Sequence, residues 1–251
     1  MSRTCIFHTF NQARAFLPVI HLPRRGEGAL QALDVATSNG ADGVFLINQG
    51  LDADGVLALA RRLRDTHKGL WVGINLLGED PAEIIRTAGA WPGFHGLWAD
   101  DCGVDTDQDL LGEGDPDPSK WDEARDAWLD AREESRWNGG LYFGGTAFKT
   151  QTPITDPKAL ARVARAAASF VDVVLTSGAA TGVAASVEKV RVMREAMKPL
   201  DSLGLASGVT PRNVAGYLPY VNVYLVASGI ESAFGVLDPV KTRDLAQAIH
   251  S

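Results

Sequence analysis

Eight short apolar runs alternate with helical patterns along almost the whole chain, and this alternation restricts the fold more than any other feature. The runs fall at 17–22, 43–47, 70–77, 94–99, 141–148, 171–176, 202–206 and 221–227. Their Val, Ile and Leu content without strict polar alternation suits strands covered on both faces. Between them Val56, Leu59, Ala60 and Leu63 share one helical face, as do Leu160, Val163, Ala164 and Ala167. Val183, Val187, Val190 and Met197 are expected to form a third such face. Asp80-Pro81, Asp156-Pro157, Thr210-Pro211 and Asp238-Pro239 each place a capping side chain before a first-turn proline. Strand, short loop and helix, repeated to the end, predict a parallel sheet with right-handed crossovers. Eight repeats predict closure, and no Gly-x-Gly-x-x-Gly turn follows the first run to suggest an open sheet. The expectation is an α/β protein, a single (β/α)8 TIM barrel domain over residues 1–251. Its one irregularity is a long acidic loop after strand 4, over 100–118, leading into a helix at 121–137.

Composition narrows the partners. A formal net charge of -7 argues against nucleic-acid binding, which needs a concentrated basic face. Cys5 and Cys102 form neither a disulfide framework nor a metal pattern and fit a reducing, cytoplasmic setting. No apolar run reaches the length of a membrane span, so direct membrane insertion is not expected. Homo-oligomerisation through the outer helices stays open.

Working residues of a barrel project from the C-terminal ends of its strands. Those ends carry His21, Asn48, Gln49, Asn75, Asp100, Asp101, Lys149, Thr176 and Ser177, and then two Ser-Gly loops. Ser207-Gly208 and Ser228-Gly229 end the last two runs, where barrels place phosphate on backbone N–H groups. The helix expected from Thr210 would add its positive dipole end there. Thr176-Ser177-Gly178-Ala179-Ala180-Thr181-Gly182 is a third small-residue loop suited to an anionic or sugar-like group. Asp100 is the candidate general base. Lys149 is a candidate ligand cation, ion-pair partner of Asp100 or Asp101, or nucleophile, and His21 a candidate proton shuttle. Asn48, Asn75, Ser177 and Thr181 are candidates to orient the ligand. No organic cofactor is expected. A divalent cation on Asp100, Asp101, Asn48 and Asn75 is a lesser alternative, since the spacing carries no metal signature.

Val19-Ile20-His21-Leu22-Pro23, Ala41-Asp42-Gly43-Val44, Val72-Gly73-Ile74-Asn75, Thr106-Asp107-Gln108, Lys149, the Thr176 to Gly182 loop, Ser207 to Val214 and Tyr217-Leu218-Pro219 run in order along the chain. In these pieces the chain resembles the BtpA family, (β/α)8-barrel proteins named for a factor in photosystem I biogenesis. The last two pieces are the most specific. The segment Arg24-Arg25-Gly26-Glu27-Gly28 is shorter than the family's usual loop. The resemblance implies a barrel with a phosphate site.

Together these observations lead to an enzyme acting on a small phosphorylated metabolite, a phosphosugar or nucleotide-derived compound. The chemistry expected is of the isomerase, lyase or glycosyl/phosphoribosyl type. Ser207, Gly208, Ser228 and Gly229 would hold phosphate. Two rivals stay open: a BtpA-like assembly or regulatory factor that keeps the phosphate pocket, and a barrel binding the phosphate of FMN.

Overall fold

The computed structural model describes residues 6–89, 93–104, 119–137 and 139–251. Eight parallel strands close into a barrel in sequence order, β1 (Ala15–Leu22), β2 (Val44–Asn48), β3 (Val72–Asn75), β4 (Gly96–Ala99), β5 (Leu141–Gly145), β6 (Val173–Ser177), β7 (Ser202–Ala206) and β8 (Val223–Val226). β8 pairs with β1 from Ala15–Val223 to Pro18–Val226, which seals the cylinder. The helices are α1 (Ile6–Phe10) before the barrel, α2 (Ala29–Ser38), α3 (Ala53–Thr66), α4 (Pro81–Ala88), α5 (Ser119–Ser135), α6 (Pro157–Ala167), α7 (Val187–Ala196) and α8 (Pro239–His250). This is a TIM barrel. The acidic segment from Asp105 to Pro118 and Cys5 lie outside the described residues. Among the described residues, no helix is long and apolar enough to cross a membrane.

Three of the four predicted Asp-Pro or Thr-Pro starts form helices. Asp80, Asp156 and Asp238 each accept two backbone N–H groups of the first turn, with proline as the first helical residue. Thr210-Pro211 does not. Between β7 and β8 the chain makes turns and one 3-10 turn, Val214–Gly216. Asn213 explains the difference. Its Oδ1 accepts the Thr210 N–H at 2.8 Å and its Nδ2 donates to the Gly208 carbonyl at 2.8 Å, so the side chain closes a loop where a cap was expected. Gly216 and Pro219 then discourage any helical extension. The third predicted helical face also needs correction. α7 starts only after Ser186, whose hydroxyl accepts the Lys189 N–H. Val183 and Val187 are 48% and 41% exposed, and the buried face is Val190 and Met193 with Met197 just beyond.

Alternation along each strand separates two cores. Phe16, Leu46, Val72, Ile74 and Leu97 face the helices, whereas Leu17, Phe45, Ile47, Trp98 and Phe143 fill the barrel. The filling is aromatic: Phe45 meets Trp71, Trp98 and Phe143 with ring centroids 5.4, 5.7 and 5.0 Å apart, all edge-to-face. Space for it comes from inward glycines. A Cβ on Gly73 would lie 2.3 Å from the Phe45 ring, and one on Gly96 2.4 Å from Trp71. At the opposite end from the strand tips, Arg132 binds Asp172 at 2.7 Å and the Gly140 carbonyl at 2.8 Å, and Asp172 also accepts the Tyr142 N–H. This buried pair pins α5 to the start of β5 and β6.

Candidate functional site

The C-terminal ends of the strands open onto a cavity of about 460 Å³. His21, Gln49, Asp100, Lys149, Thr181, Ser207 and Ser228 all line it, so the barrel brings together seven of the residues singled out from the sequence. Asn75 stands just beneath. It is 1% exposed, and its Nδ2 donates to Asp100 Oδ1 at 3.1 Å.

Asp100 is held in a pocket that resists its charge. Burial pushes its carboxyl above the ordinary range, the Lys149 ammonium and the Asn75 amide pull it part of the way back, and Asp101 adds to the rise. A carboxylate raised in this way and aimed at a cavity is a base adjusted toward neutral pH. Asp101 turns elsewhere, accepting the Gly103 N–H and the Gln151 side-chain amide. Lys149 lies over the Phe148 ring, with Nζ 5.5 Å from its centroid.

His21 is fixed on two sides. Its Nδ1 lies 3.2 Å from Glu231 Oε1, and its ring stacks on Phe234 at 4.7 Å. Glu231 and Phe234 belong to a two-stranded hairpin, β9 (Glu231–Ala233) and β10 (Val236–Leu237), which stands between β8 and α8. Sequence reasoning misses this hairpin. Its signal is the Phe234-Gly235 turn between short apolar pieces, with Gly235 at φ 76.

The two Ser-Gly loops are built differently from the expectation. Ser207 and Ser228 line the cavity, while Gly208 and Gly229 pack behind them. A Cβ on Gly208 would meet the Ala184 backbone N at 2.3 Å, and one on Gly229 the Val209 carbonyl oxygen at 1.7 Å. The loops after β6 and β8 also touch, a Cβ on Gly182 falling 3.6 Å from Ser228 Oγ. Among the described residues, no protein acceptor takes the backbone N–H of Gly182, Gly208, Ser228 or Gly229. No helix from Thr210 stands behind these loops.

Asn48 and Ser177 also stand outside the cavity lining. Asn48 points outward from β2, and its Oδ1 accepts the Leu77 N–H at 2.6 Å. Gln49, the next residue, lines the cavity instead. Ser177 is fully buried, accepting the Lys149 N–H at 2.8 Å and donating to the Gly178 carbonyl at 3.0 Å. Its hydroxyl sets the backbone that carries Lys149. Among the described residues, no cluster of three or more His, Cys, Asp or Glu side chains converges on a metal-sized space. Cys102 is buried, and its thiol is pushed up to about 12 by that burial, so it is not a nucleophile at neutral pH.

Lys189 is a second residue that sequence reasoning misses. From the first turn of α7, its Nζ donates to the carbonyls of Ala147 at 2.5 Å and Ser177 at 2.8 Å. It thereby ties the β5 and β6 loops on either side of Lys149, where Ala147 sits at φ 47. Desolvation lowers its ammonium from 10.5 to about 8. The unfolded chain then binds more protons than the native one between those values, so stability should rise as pH climbs through that window. We expect Lys189→Met to remove that rise. Wild type should gain about 2 kcal/mol on the variant between pH 7.5 and 10.5, read from denaturant unfolding midpoints.

No family model and no curated protein matches this chain. Solved structures do match its fold. Phosphoribosyl anthranilate isomerase from Thermus thermophilus is 18% identical, with a TM-score of 0.56 over 93% of this chain and 98% of that one. The tryptophan synthase alpha subunit from Legionella pneumophila str. Paris is 13% identical, with a TM-score of 0.60 over 95% and 94%. (S)-3-O-geranylgeranylglyceryl phosphate synthase from Thermoplasma acidophilum, in complex with its substrate sn-glycerol-1-phosphate, is 13% identical, with a TM-score of 0.63 over 98% and 99%. At these identities what the chain shares with them is the (β/α)8 barrel, over nearly the full length of each.

Proposed function

We propose that this chain is an enzyme that moves a proton on a small phosphorylated metabolite. One observation carries the reading: a raised carboxylate and a lysine line a single cavity with Thr181, Ser207 and Ser228, whose loops hold N–H groups with no protein acceptor among the described residues. Phosphate sits on Ser207, Ser228 and the N–H groups of the β6, β7 and β8 loops. Asp100 takes a proton from the bound molecule, held in line by the Asn75 amide. Lys149 stabilises the negative charge that develops, as a cation rather than as a covalent nucleophile. His21, oriented by Glu231, returns a proton to another atom. Isomerisation and lyase-type bond cleavage both use this set, and glycosyl transfer uses it with the acid at the leaving group. The solved relatives, which include an isomerase and an enzyme bound to sn-glycerol-1-phosphate, support phosphate as the handle. The ordered BtpA-like motifs support the same site.

The test is thermal unfolding against inorganic phosphate, sugar phosphates and nucleotides. A ligand at about a hundred times its dissociation constant adds roughly 2.7 kcal/mol, a shift of about 5–10 °C for a chain of this size. Ser228→Glu places a carboxylate among the loop N–H groups from an exposed position. It should abolish the shift, a loss of about a hundredfold or more in affinity, with an unliganded midpoint close to wild type. A folded protein that no phosphate compound shifts would overturn this reading.

A further inference from the structure

The far side of the mouth is built for something other than phosphate or sugar. Across the barrel from the β6–β8 loops, the cavity is walled by Ile47 at the end of β2, Leu77 after β3 and Trp98 in β4. Trp98 is 5% exposed and presents its ring to the cavity as an apolar surface. At the rim stands Phe234, 73% exposed.

A lone exposed aromatic is ordinary on a loop. Phe234 differs because its support is fixed. Glu231 Oε1 accepts the Gly235 N–H at 3.0 Å, the Glu231 carbonyl accepts the Lys241 ammonium at 2.7 Å, and the Phe234 ring lies flat on His21. The hairpin therefore holds an aromatic face at the cavity with its other face uncovered. Apolar walls and an exposed ring together describe a slot for a flat, weakly polar group.

Resting on the phosphate reading above, the geometry points to a substrate class: a phosphate ester whose far end is a planar aromatic ring. The phosphate lies on the β6–β8 loops and the ring lies between Phe234 and the Ile47, Leu77 and Trp98 wall. The stretch between the two passes Asp100 and Lys149. A plain sugar phosphate fills only the polar half.

Calorimetric titration with four probes tests this: ribose 5-phosphate, AMP, 1-naphthyl phosphate and adenosine. At least one ring-bearing phosphate should bind about tenfold or more tightly than ribose 5-phosphate. Phe234→Ala should bring that ratio close to one, with a melting midpoint near wild type because so little of the ring is buried. If ribose 5-phosphate matches both ring-bearing esters, or Phe234→Ala leaves the ratio intact, the ring slot is wrong while the phosphate site stands. If adenosine binds as tightly as AMP, or no probe binds, the phosphate reading itself fails and takes this inference with it.

Discussion

Asp100→Asn is expected to lower kcat/KM by about 10²- to 10⁴-fold, the usual worth of a positioned general base, while raising the melting midpoint. Both effects come from one cause. Burial raises the Asp100 carboxyl above its ordinary range, so the native protein favours the protonated form. In the window between the unfolded and folded values the native state binds more protons than the unfolded one, and stability falls as pH rises through it. At neutral pH the ionised Asp100 is thus a net cost to the fold. Asparagine removes the charge and keeps an oxygen for the Asn75 Nδ2, now 3.1 Å away. The gain should be about 1 kcal/mol, or some 2–4 °C for a chain of this size. It should vanish in acid, where the wild-type carboxyl is protonated in both states. The acidic limb of wild-type kcat/KM should lie above the ordinary carboxylate range and be missing from the variant's residual activity. The substrate for these assays is whichever phosphorylated compound gives the largest thermal shift. An Asp100→Asn protein that turns over normally and melts lower would make Asp100 a structural residue.

The barrel is legible in the sequence because it depends on repetition. Each strand needs only to be apolar and each helix only to bury one face, so local errors at Thr210 and Val183 leave the closure unaffected. The site is legible to the level of strand ends and not to the level of side. Alternation decides which of two neighbouring polar residues faces the mouth. On β2, Phe45 and Ile47 point inward, so Gln49 continues that row and Asn48 does not. The same count places His21, Asn75 and Asp100 inward, two residues beyond Val19, Gly73 and Trp98. Carried along every strand, that count exchanges Asn48 for Gln49 on sequence grounds alone.

Lys189 and the hairpin are harder to see, for different reasons. A lysine in a helix resembles any solvated surface charge, and only its position in the first turn of α7, against the helix dipole, marks it as unusual. What makes it matter is two carbonyls, 42 and 12 residues earlier in the chain, that local sequence does not encode. The hairpin is three residues paired with two, too short for a periodic signal. Its importance follows from the contacts of Glu231 and Phe234 with His21, more than 200 residues away.

Gly208→Ala and Gly229→Ala should each cost far more stability than their small size suggests, and the reason changes the meaning of the Ser-Gly pairs. Read from sequence, these glycines let backbone approach phosphate. In the fold they let loop approach loop. Gly145 lies against the Asp100 carbonyl, Gly208 against Ala184 in the β6 loop, and Gly229 against the Val209 carbonyl in the β7 loop, each with a Cβ position 1.7–2.3 Å from a backbone atom. Gly178 closes the β6 loop on itself in the same way, 2.1 Å from the Val183 carbonyl oxygen. Gly208 also needs φ 72, next to Ser207 at φ 74. Backbone atoms cannot rotate aside as side chains do, so Gly208→Ala adds steric overlap to a left-handed conformation. Together these should cost about 3–5 kcal/mol, or roughly 10 °C of melting midpoint. Gly78 supplies the control: it has φ 86 and open space where a Cβ would stand. Gly78→Ala should cost only about 1–2 kcal/mol, the conformational part alone. If Gly208→Ala melts no lower than Gly78→Ala, the loops are not interlocked and the glycines serve the anion directly. If it melts far lower, loss of phosphate binding in that variant says nothing about contact with phosphate, and Ser228→Glu is the substitution that isolates the anion site from the scaffold beneath it.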